Sequence, residues 1–455
     1  MALILYIVFW LANSDLMNKI YLVAGLLVLA VFACVHEPTV SLLDIELRTA
    51  IGDPSTFLLP DSKDYANIPQ SPVNPLSDAK VELGKMLFFE PAFGVEAKHL
   101  SGMNTFTCSS CHVPEAGFRP ARMQGIADGG VGFGEKGEAR IKLGEYDASE
   151  IDAQGARPLA VLNTAYVTHS MWNGSFGSGG VNAGTEHMWG VFDPGTAINQ
   201  EGLGSLEGQN IEGLKTHRLL FTPELVETFG YKSYFDAAFS DFPESERYTR
   251  KTASFAISAY LRTLLCNEAP FQRWLKGEEG AMTDAEKRGA TLFSGKAGCR
   301  RCHNQPNLGS ITFHAIGVDD LFEHGGLKTD INDRRNLGRG GFTDEAADMY
   351  KFRVPQLYNL GDAGPYFHGA SKETLEEVIQ YFNDGIGENP RVPQQQLSEY
   401  FHPLNLNQQE MDDLTAFIRN GLRDPNLKRY VPEQVLSGMC FPNNDPVSKK
   451  DMDCH

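Results

Sequence analysis

The sequence has 455 residues, which is long enough for roughly two or three domains with hydrophobic cores of their own. Hydrophobic residues make up 42% of it and charged residues 22%, as is typical of a globular protein. The formal net charge of -18 argues against a nucleic-acid partner, because binding to the phosphate backbone requires a basic surface. This acidity favours general solubility, with attraction of a positively charged protein partner as the alternative.

The first segment has the features of an export signal. Residues 20–34 are apolar and uncharged and follow Lys19, and the run is too short for a membrane span but fits a signal-peptide core. We therefore expect residues 1–34 to be a signal peptide and the mature protein to be periplasmic. Cys34 ends a stretch that loosely resembles a lipoprotein cleavage box, although Phe32 is bulkier than such a box usually accepts. Lipidation of Cys34, which would tether the protein to the membrane, and plain cleavage both stay open.

After this segment, the same order of elements occurs twice along the chain. An amphipathic helix is predicted to begin at residues 77–79, and a second one begins with a capping-box pattern at 283–286. A Cys-x-x-Cys-His motif follows each of these helices, and a further helix closes each half, near 259–262 and near 416–419. The pattern indicates an internal repeat.

Each Cys-x-x-Cys-His motif has the composition of a c-type haem attachment site. Two cysteines at this spacing can bond to the two vinyl groups of one porphyrin, and the next histidine can bind the iron. A zinc site would require a fourth ligand, and a thioredoxin-type dithiol would not require the histidine. We therefore expect two covalent haems, attached by Cys108 and Cys111 and by Cys299 and Cys302, with His112 and His303 as proximal iron ligands.

Helix, haem motif, long loops and closing helix together form the plan of a small cytochrome c domain. The sequence thus predicts a mainly α fold of two cytochrome c-like domains, each made of helices and long loops around one covalently bound haem. We place the N-terminal domain at 35–270 and the C-terminal domain at 271–455, because the stretch 267–283 is rich in charge and glycine and interrupts two periodic segments.

Three cysteines remain outside the motifs and the signal segment. Cys440 and Cys454 flank a loop-like tail with little apolar content, which predicts a local disulfide in an oxidising compartment. Cys266 follows an apolar helical run and is predicted to be a buried free thiol.

With these motifs in place, the chain resembles the bacterial di-haem cytochrome c peroxidases and their MauG-like relatives. The resemblance covers nearly all of the mature chain and rests on ordered landmarks around the two motifs. The landmarks are residues 83–89 (LGKMLFF), 161–163 (VLN), 171–174 (MWNG), 205–209 (SLEGQ), 313–317 (FHAIG), 352–357 (FRVPQL), 364–368 (GPYFH) and 374–377 (TLEE). The resemblance implies that the N-terminal haem is the peroxide site and that electrons enter at the C-terminal haem.

The resemblance also suggests roles for three catalytic candidates. Trp172 matches the tryptophan between the haems, with an ordinary core aromatic as the alternative, and Gln209 matches a distal glutamine. The family's distal glutamate has no counterpart here, and His217 is a candidate replacement as acid and base, with a surface helix histidine as the alternative. The segment between His112 and His169 contains no histidine, so the blocking ligand of the peroxidases that require reductive activation is missing. We expect an open N-terminal iron in the oxidised protein.

The sixth ligand of the C-terminal haem is less well defined by the resemblance. A strict count places Phe382 at the ligand position, where it cannot bind iron, so the neighbouring Tyr381 is our choice and Met349 is its rival. Family members often hold calcium between the domains. The asparagine that would bind it is replaced near Arg157 and Pro158, so calcium is doubtful.

The expected function is reduction of hydrogen peroxide to water with electrons from a small periplasmic donor, either a cytochrome c or a copper protein. One alternative is a MauG-like enzyme that oxidises residues of a partner protein. A second alternative is an electron-transfer cytochrome in which both irons are closed. An open haem with high-spin ferric absorption separates the enzymes from the electron-transfer protein.

Overall fold

A computed structural model describes residues 41–454 of the protein. The predicted signal segment 1–34, including Cys34, lies outside these residues. The described chain falls into two units, one ending at Ile45 and one beginning at Glu46, and the second unit contains all the sites discussed below. Within residues 41–454, no helix is both long enough and apolar enough to span a membrane.

Helices and irregular loops account for nearly all of the described chain. The α-helices are α1 (Leu42–Ile51), α2 (Asp78–Phe88), α3 (Ser205–Thr216), α4 (Pro223–Thr228), α5 (Lys232–Ala238), α6 (Arg250–Thr263), α7 (Pro270–Leu275), α8 (Asp284–Ser294), α9 (Gly340–Thr343), α10 (Leu375–Asp384), α11 (Gln408–Ala416) and α12 (Pro446–Asp451). The strands form two antiparallel pairs, β1 (Gly130–Val131) with β2 (Ile141–Lys142) and β3 (Phe313–His314) with β4 (Phe352–Arg353). The predicted mainly α fold is confirmed.

The first half is built around the crossing of α2 and α6. Helix α2 begins where the Ser77 hydroxyl accepts a hydrogen bond from the Lys80 backbone N–H, as the sequence pattern predicts. At the crossing, a methyl group on Gly84 would collide with the Ala256 carbonyl oxygen, so the two backbones touch. One turn further on, Phe88 on α2 packs against a tyrosine of α6 with ring centroids 5.5 Å apart. Glycine is therefore required at this position by close helix approach.

The second half repeats this crossing with α8 and α11. Thr283 and Glu286 form the predicted capping box at the start of α8. A methyl group on Gly289 would collide with the Asp413 carbonyl oxygen. Helix α11 runs directly into a π-helical turn, Phe417–Gly421, whose first ring packs on Phe293 of α8 at 5.6 Å. The predicted internal repeat is thus present in the helix pairs.

The hydrophobic core runs without interruption through both helix pairs. The same cluster of buried side chains includes Phe88 from the first pair and Phe293 from the second. Cys266 is fully buried in this core with a free thiol, as predicted. The domain boundary proposed at 270/271 stays a prediction, because residues from Glu46 onward form one compact unit.

The C-terminal tail closes back on the first half. Cys440 and Cys454 are joined by a disulfide, as the sequence predicts. Between them, Asp445 caps α12 and accepts hydrogen bonds from the Gly132 backbone N–H (3.2 Å) and from the buried Arg140 side chain (3.2 Å). The tail therefore holds the glycine-rich loop that follows the first haem motif.

Candidate haem sites

The N-terminal motif forms a short 3-10 turn, Cys108–Ser110, that leads directly into His112. The Ser110 hydroxyl donates to the Pro442 carbonyl oxygen at 3.0 Å, so the C-terminal tail braces this turn. The imidazole Nδ1 of His112 donates to the Phe118 carbonyl oxygen at 3.2 Å. This bond leaves Nε2 as the nitrogen available to a metal, which is how proteins orient a ligating histidine.

The C-terminal motif repeats this arrangement. Its 3-10 turn is Cys299–Arg301, and the Nδ1 of His303 donates to the Leu308 carbonyl oxygen at 2.7 Å. Both acceptor carbonyls belong to non-glycine residues in the left-handed region, Phe118 with φ of 55° and Leu308 with φ of 49°. Such backbone strain is tolerated where the surroundings enforce it. Here it places an equivalent carbonyl oxygen beside each of the two histidines.

Both histidines are in the form that binds a metal. Burial lowers the pKa of His112 to about 4, and the nearby charge of His217 lowers it further. The hydrogen bond to the Phe118 carbonyl raises this pKa but does not outweigh the effect of burial. Burial likewise lowers the pKa of His303 to about 4, with His314 contributing. At neutral pH both imidazoles are therefore uncharged, as iron ligation requires.

The surroundings of the first motif fit a porphyrin that carries carboxylates. The four motif cysteines have free thiols, and a methyl group on Gly125 would come within 2.5 Å of the Cys111 Sγ, so the backbone lies directly against the attachment site. Close by, the buried Nε and NH1 atoms of Arg122 have no hydrogen-bond partner among residues 41–454. A pair of thiols, a neutral histidine and a guanidinium with two unpartnered nitrogens match the vinyl groups, the iron and a propionate of a c-type haem.

His217 lies close to the first motif and is oriented by a carboxylate. It caps the C-terminal end of α3, and its Nδ1 donates to the Asp152 Oδ2 at 2.8 Å. The side chain of Asp152 is 4% exposed and that of His217 is 37% exposed. Burial disfavours the charged imidazole, but the charge and hydrogen bond of Asp152 outweigh it, so the pKa of His217 is raised above its ordinary value. Sequence reasoning missed Asp152.

The charge of Asp152 reaches the haem motif itself. Burial, with a smaller contribution from Asp152, raises the pKa of the Cys111 thiol to about 12.

The second half of the chain also contacts the loop that follows the first haem motif. The side chain of Gln124 exchanges two hydrogen bonds of 2.8 Å with the backbone of Leu327. The positive charge of Lys328, the next residue, acts on His217.

Gln209 lies on α3, about two helical turns before His217. Its side chain is half-buried. The neighbouring landmark residue Glu207 has a different role, since it is fully buried and forms an ion pair with Arg262 at 2.6 Å. Sequence reasoning recorded Glu207 only as part of a landmark and missed this ion pair.

Trp172 lies where segments of the two halves meet. Its indole Nε1 donates to the Arg157 carbonyl oxygen at 2.7 Å. The ring packs edge-on against Phe352 at 6.4 Å and against His368 at 6.1 Å, and these two rings stack on each other at 3.6 Å. The imidazole of His368 is held in turn by Asp320 at 2.9 Å. Sequence reasoning recorded His368 as part of a landmark and missed this contact.

Tyr381 is buried in α10, and its hydroxyl donates to the Ile316 carbonyl oxygen at 2.6 Å. Its rival Met349 lies elsewhere, with its sulfur against Gly340. His314 was also missed as a candidate, and it is close enough to His303 to affect the pKa of that histidine. The choice of Tyr381 as sixth ligand stays a prediction.

Calcium also stays a doubtful prediction. In residues 41–454, no group of three or more histidine, cysteine, aspartate or glutamate side chains could hold a metal ion. Near Arg157 and Pro158, where the expected asparagine ligand is replaced, the Arg157 side chain is 4% exposed.

Comparisons with known proteins agree with this geometry. A family model described as di-haem cytochrome c peroxidase matches residues 78–280. Cytochrome-c peroxidase IdrP1 of Denitromonas iodatirespirans is 31% identical over 378 residues, covering 77% of this chain and 84% of that protein. Methylamine utilization protein MauG of Methylorubrum extorquens strain AM1 is 30% identical over 362 residues, covering 79% and 82%. The crystal structure of a MauG-like protein associated with microbial copper homeostasis is 26% identical with a TM-score of 0.54, covering 81% of this chain and 95% of that chain.

Proposed function

Because this chain belongs to the di-haem cytochrome c peroxidase family, we propose that it reduces hydrogen peroxide to water with electrons from a small periplasmic donor. Each peroxide takes up two electrons and two protons and gives two waters, so the protein must deliver protons as well as electrons. When bound, the N-terminal haem supplies the iron at which the peroxide bond breaks.

The observation that carries the proposal is the pair formed by His217 and Asp152. Asp152 fixes Nδ1 of the imidazole, and in the described part of the chain no protein hydrogen bond engages Nε2. An imidazole fixed in this way takes a proton from one peroxide oxygen and returns it to the other, which is the task of a distal acid and base. Gln209 on the same helix is the candidate for orienting the peroxide by hydrogen bonding.

Electrons are proposed to enter at the C-terminal haem and to pass the ring cluster of Trp172, Phe352 and His368. The position of this cluster between segments of the two halves supports the route. The donor is a small cytochrome c or copper protein. The export signal that the sequence predicts at residues 1–34 and the disulfide between Cys440 and Cys454 support a periplasmic location.

Oxidation of residues in a partner protein is the second candidate function. It is favoured by the 30% identity to MauG of Methylorubrum extorquens, which is within one percentage point of the 31% identity to peroxidase IdrP1 of Denitromonas iodatirespirans. The same ring cluster of Trp172, Phe352 and His368 would then carry electrons away from the partner.

Peroxide consumption by the mature protein, with reduced small cytochrome c as donor, tests the proposal. We expect turnover in the wild type and a loss of about 100-fold or more in His217→Ala, because general acid–base catalysis contributes that much. His402→Ala is the matched control, since this exposed histidine bonds only to a neighbouring carbonyl.

Trp172→Phe tests the electron route in the same assay. This variant should slow turnover while both haems stay attached.

The outcomes separate the candidates. Absence of turnover with every small donor, together with peroxide-driven oxidation of a partner protein, would replace the peroxidase by the MauG-like function. Full activity of His217→Ala would remove the histidine from the chemistry.

A further inference from the structure

Two buried arginines occupy equivalent positions in the two halves. The backbone N–H of Arg157 donates to the His368 carbonyl oxygen at 2.8 Å, and the backbone N–H of Arg353 donates to the Trp172 carbonyl oxygen at 2.7 Å. Each half therefore places one arginine beside the aromatic residue contributed by the other half. The exchange is reciprocal, as expected for an internal repeat.

Arg157 is 4% exposed and has no counter-ion within the described range 41–454. Its NH2 donates to the Pro120 and Gly364 carbonyl oxygens at 2.8 and 3.0 Å, and its buried Nε has no partner within residues 41–454. Burial lowers the pKa of Arg157 well below its ordinary value, and the nearby positive charge of Arg119 adds to this.

Arg353 is 6% exposed and likewise has no carboxylate partner among the described residues, although its Nε is hydrogen-bonded. Its Nε donates to the Met171 carbonyl oxygen at 3.1 Å, and its NH1 makes a long contact of 3.5 Å with the Val354 carbonyl oxygen. Burial lowers the pKa of Arg353 to about 10. Neither Arg157 nor Arg353 has a carboxylate within ion-pair distance among the described residues.

Two other buried arginines, Arg262 and Arg140, do have anionic partners, whereas Arg119 is bound by carbonyl oxygens. Arg262 pairs with Glu207 at 2.6 Å, and Arg140 pairs with Asp445 at 3.2 Å. A buried guanidinium without an anion is strongly disfavoured, and carbonyl oxygens replace its lost hydration only in part. Two such groups at equivalent positions indicate that each half receives an anion from outside the polypeptide.

Each of the two arginines is tied to the loop that holds a proximal histidine. The Pro120 carbonyl that binds Arg157 lies two residues after Phe118, the acceptor for His112. In the second half, the carbonyl oxygen of Val354, the residue after Arg353, accepts a hydrogen bond from the Ser310 backbone N–H. Ser310 lies two residues after Leu308, the acceptor for His303. Each arginine thus belongs to one haem motif.

We infer that Arg157 and Arg353 are equivalent anchors for haem propionates, Arg157 for the haem of the first motif and Arg353 for the haem of the second. A propionate is a carboxylate that the covalent haem brings into each half, and arginine binds carboxylates through two parallel hydrogen bonds. The inference rests on the attachment of a haem at each motif, not on the reaction with peroxide.

The test compares Arg157→Gln, Arg353→Gln and the corresponding lysine variants in the full mature protein. Mass spectrometry first establishes that two haems are attached. Resonance Raman spectra should then show a shifted propionate bending mode, and redox titration should show a lowered potential for one haem, because loss of a nearby cation favours ferric iron. Arg157→Gln should affect the first haem, and Arg353→Gln the second. The lysine variants should keep the potential but shift the Raman mode.

Arg339→Gln is the matched control, since this buried arginine is already satisfied by Asn182 at 2.6 Å and by the Val181 carbonyl oxygen. It should leave the propionate modes and both potentials unchanged. Unchanged propionate modes and unchanged potentials in both glutamine variants would overturn the inference. Where a glutamine variant does not assemble with its haems, an unshifted propionate mode in the corresponding lysine variant would also overturn it. Absence of attached haem in the wild type would instead remove the proposed function as well.

Discussion

The His217 imidazole is held by one carboxylate, and this contact determines what the side chain can do. Asp152 fixes the tautomer by accepting from Nδ1 at 2.8 Å and stabilises the protonated ring by its charge. A histidine of this kind stores a proton more readily than one free in water, but it accepts a new proton only when it is neutral. Its reactivity with peroxide should therefore depend on pH.

The reaction of the ferric protein with peroxide should accelerate as pH rises through the pKa of His217, which lies above the ordinary value of 6.5. Asp152→Asn removes the negative charge that favours the imidazolium, so the pKa falls and the midpoint of the pH–rate curve moves to lower pH. Stopped-flow rates across the pH range measure this midpoint. Asp412→Asn, at an exposed position on α11, is the control. A midpoint that stays in place in Asp152→Asn would contradict the assigned contact.

At the scale of elements, each half depends on a glycine that lets two helices touch. Gly84 faces the Ala256 carbonyl, and Gly289 faces the Asp413 carbonyl. These crossings position Phe88 and Phe293, whose rings lie 6.5 Å from His112 and 6.1 Å from His303. The packing of each helix pair is therefore coupled to the position of a proximal histidine.

Gly84→Ala and Gly289→Ala should each lower the free energy of unfolding by about 3 kcal/mol, because the added methyl group forces the two backbones apart. Gly144→Ala is the control, since a methyl group there meets no atom within 4 Å. Thermal denaturation of the three variants measures the difference. Equal stability of Gly84→Ala and Gly144→Ala would show that the crossing is looser than described.

The disulfide-closed tail is a second element with a measurable contribution. The double variant Cys440→Ser, Cys454→Ser should lose on the order of 3 kcal/mol, the chain-entropy estimate for a loop of this size. Denaturant titration with and without reductant measures the loss, and reduced wild type serves as the control. If reduction leaves the wild-type midpoint in place, the tail is held by Asp445 and its partners instead.

At the scale of the whole molecule, the helix caps and the haem motifs could be predicted from the sequence because they are local patterns. Ser77 and Thr283 cap the helices that they were expected to cap, and the cysteine pair of the tail is joined. Contacts between distant segments could not be predicted in this way. Asp152 lies 65 residues from His217, and no spacing rule connects them.

The reciprocal contacts between the halves were likewise hidden in the sequence. His368 was visible as part of a motif, but only the fold places its ring on Phe352 at 3.6 Å and beside Trp172. Whether Arg157 and Arg353 form ion pairs depends on how the fold places the carboxylates, and among residues 41–454 it places none within ion-pair distance of either. The repeat visible in the sequence correctly predicted two similar halves, and their joint core and shared ring cluster emerged from tertiary packing.

Stopped-flow mixing of the fully ferric protein with hydrogen peroxide tests the central claim most directly. An open N-terminal iron, with His217 poised by Asp152, should give an immediate change in the haem spectrum without prior reduction. His217→Ala should slow this change by about 100-fold or more, while His402→Ala should not. A wild-type spectrum that stays unchanged until one electron is added would contradict the open site and place this protein with the reductively activated peroxidases.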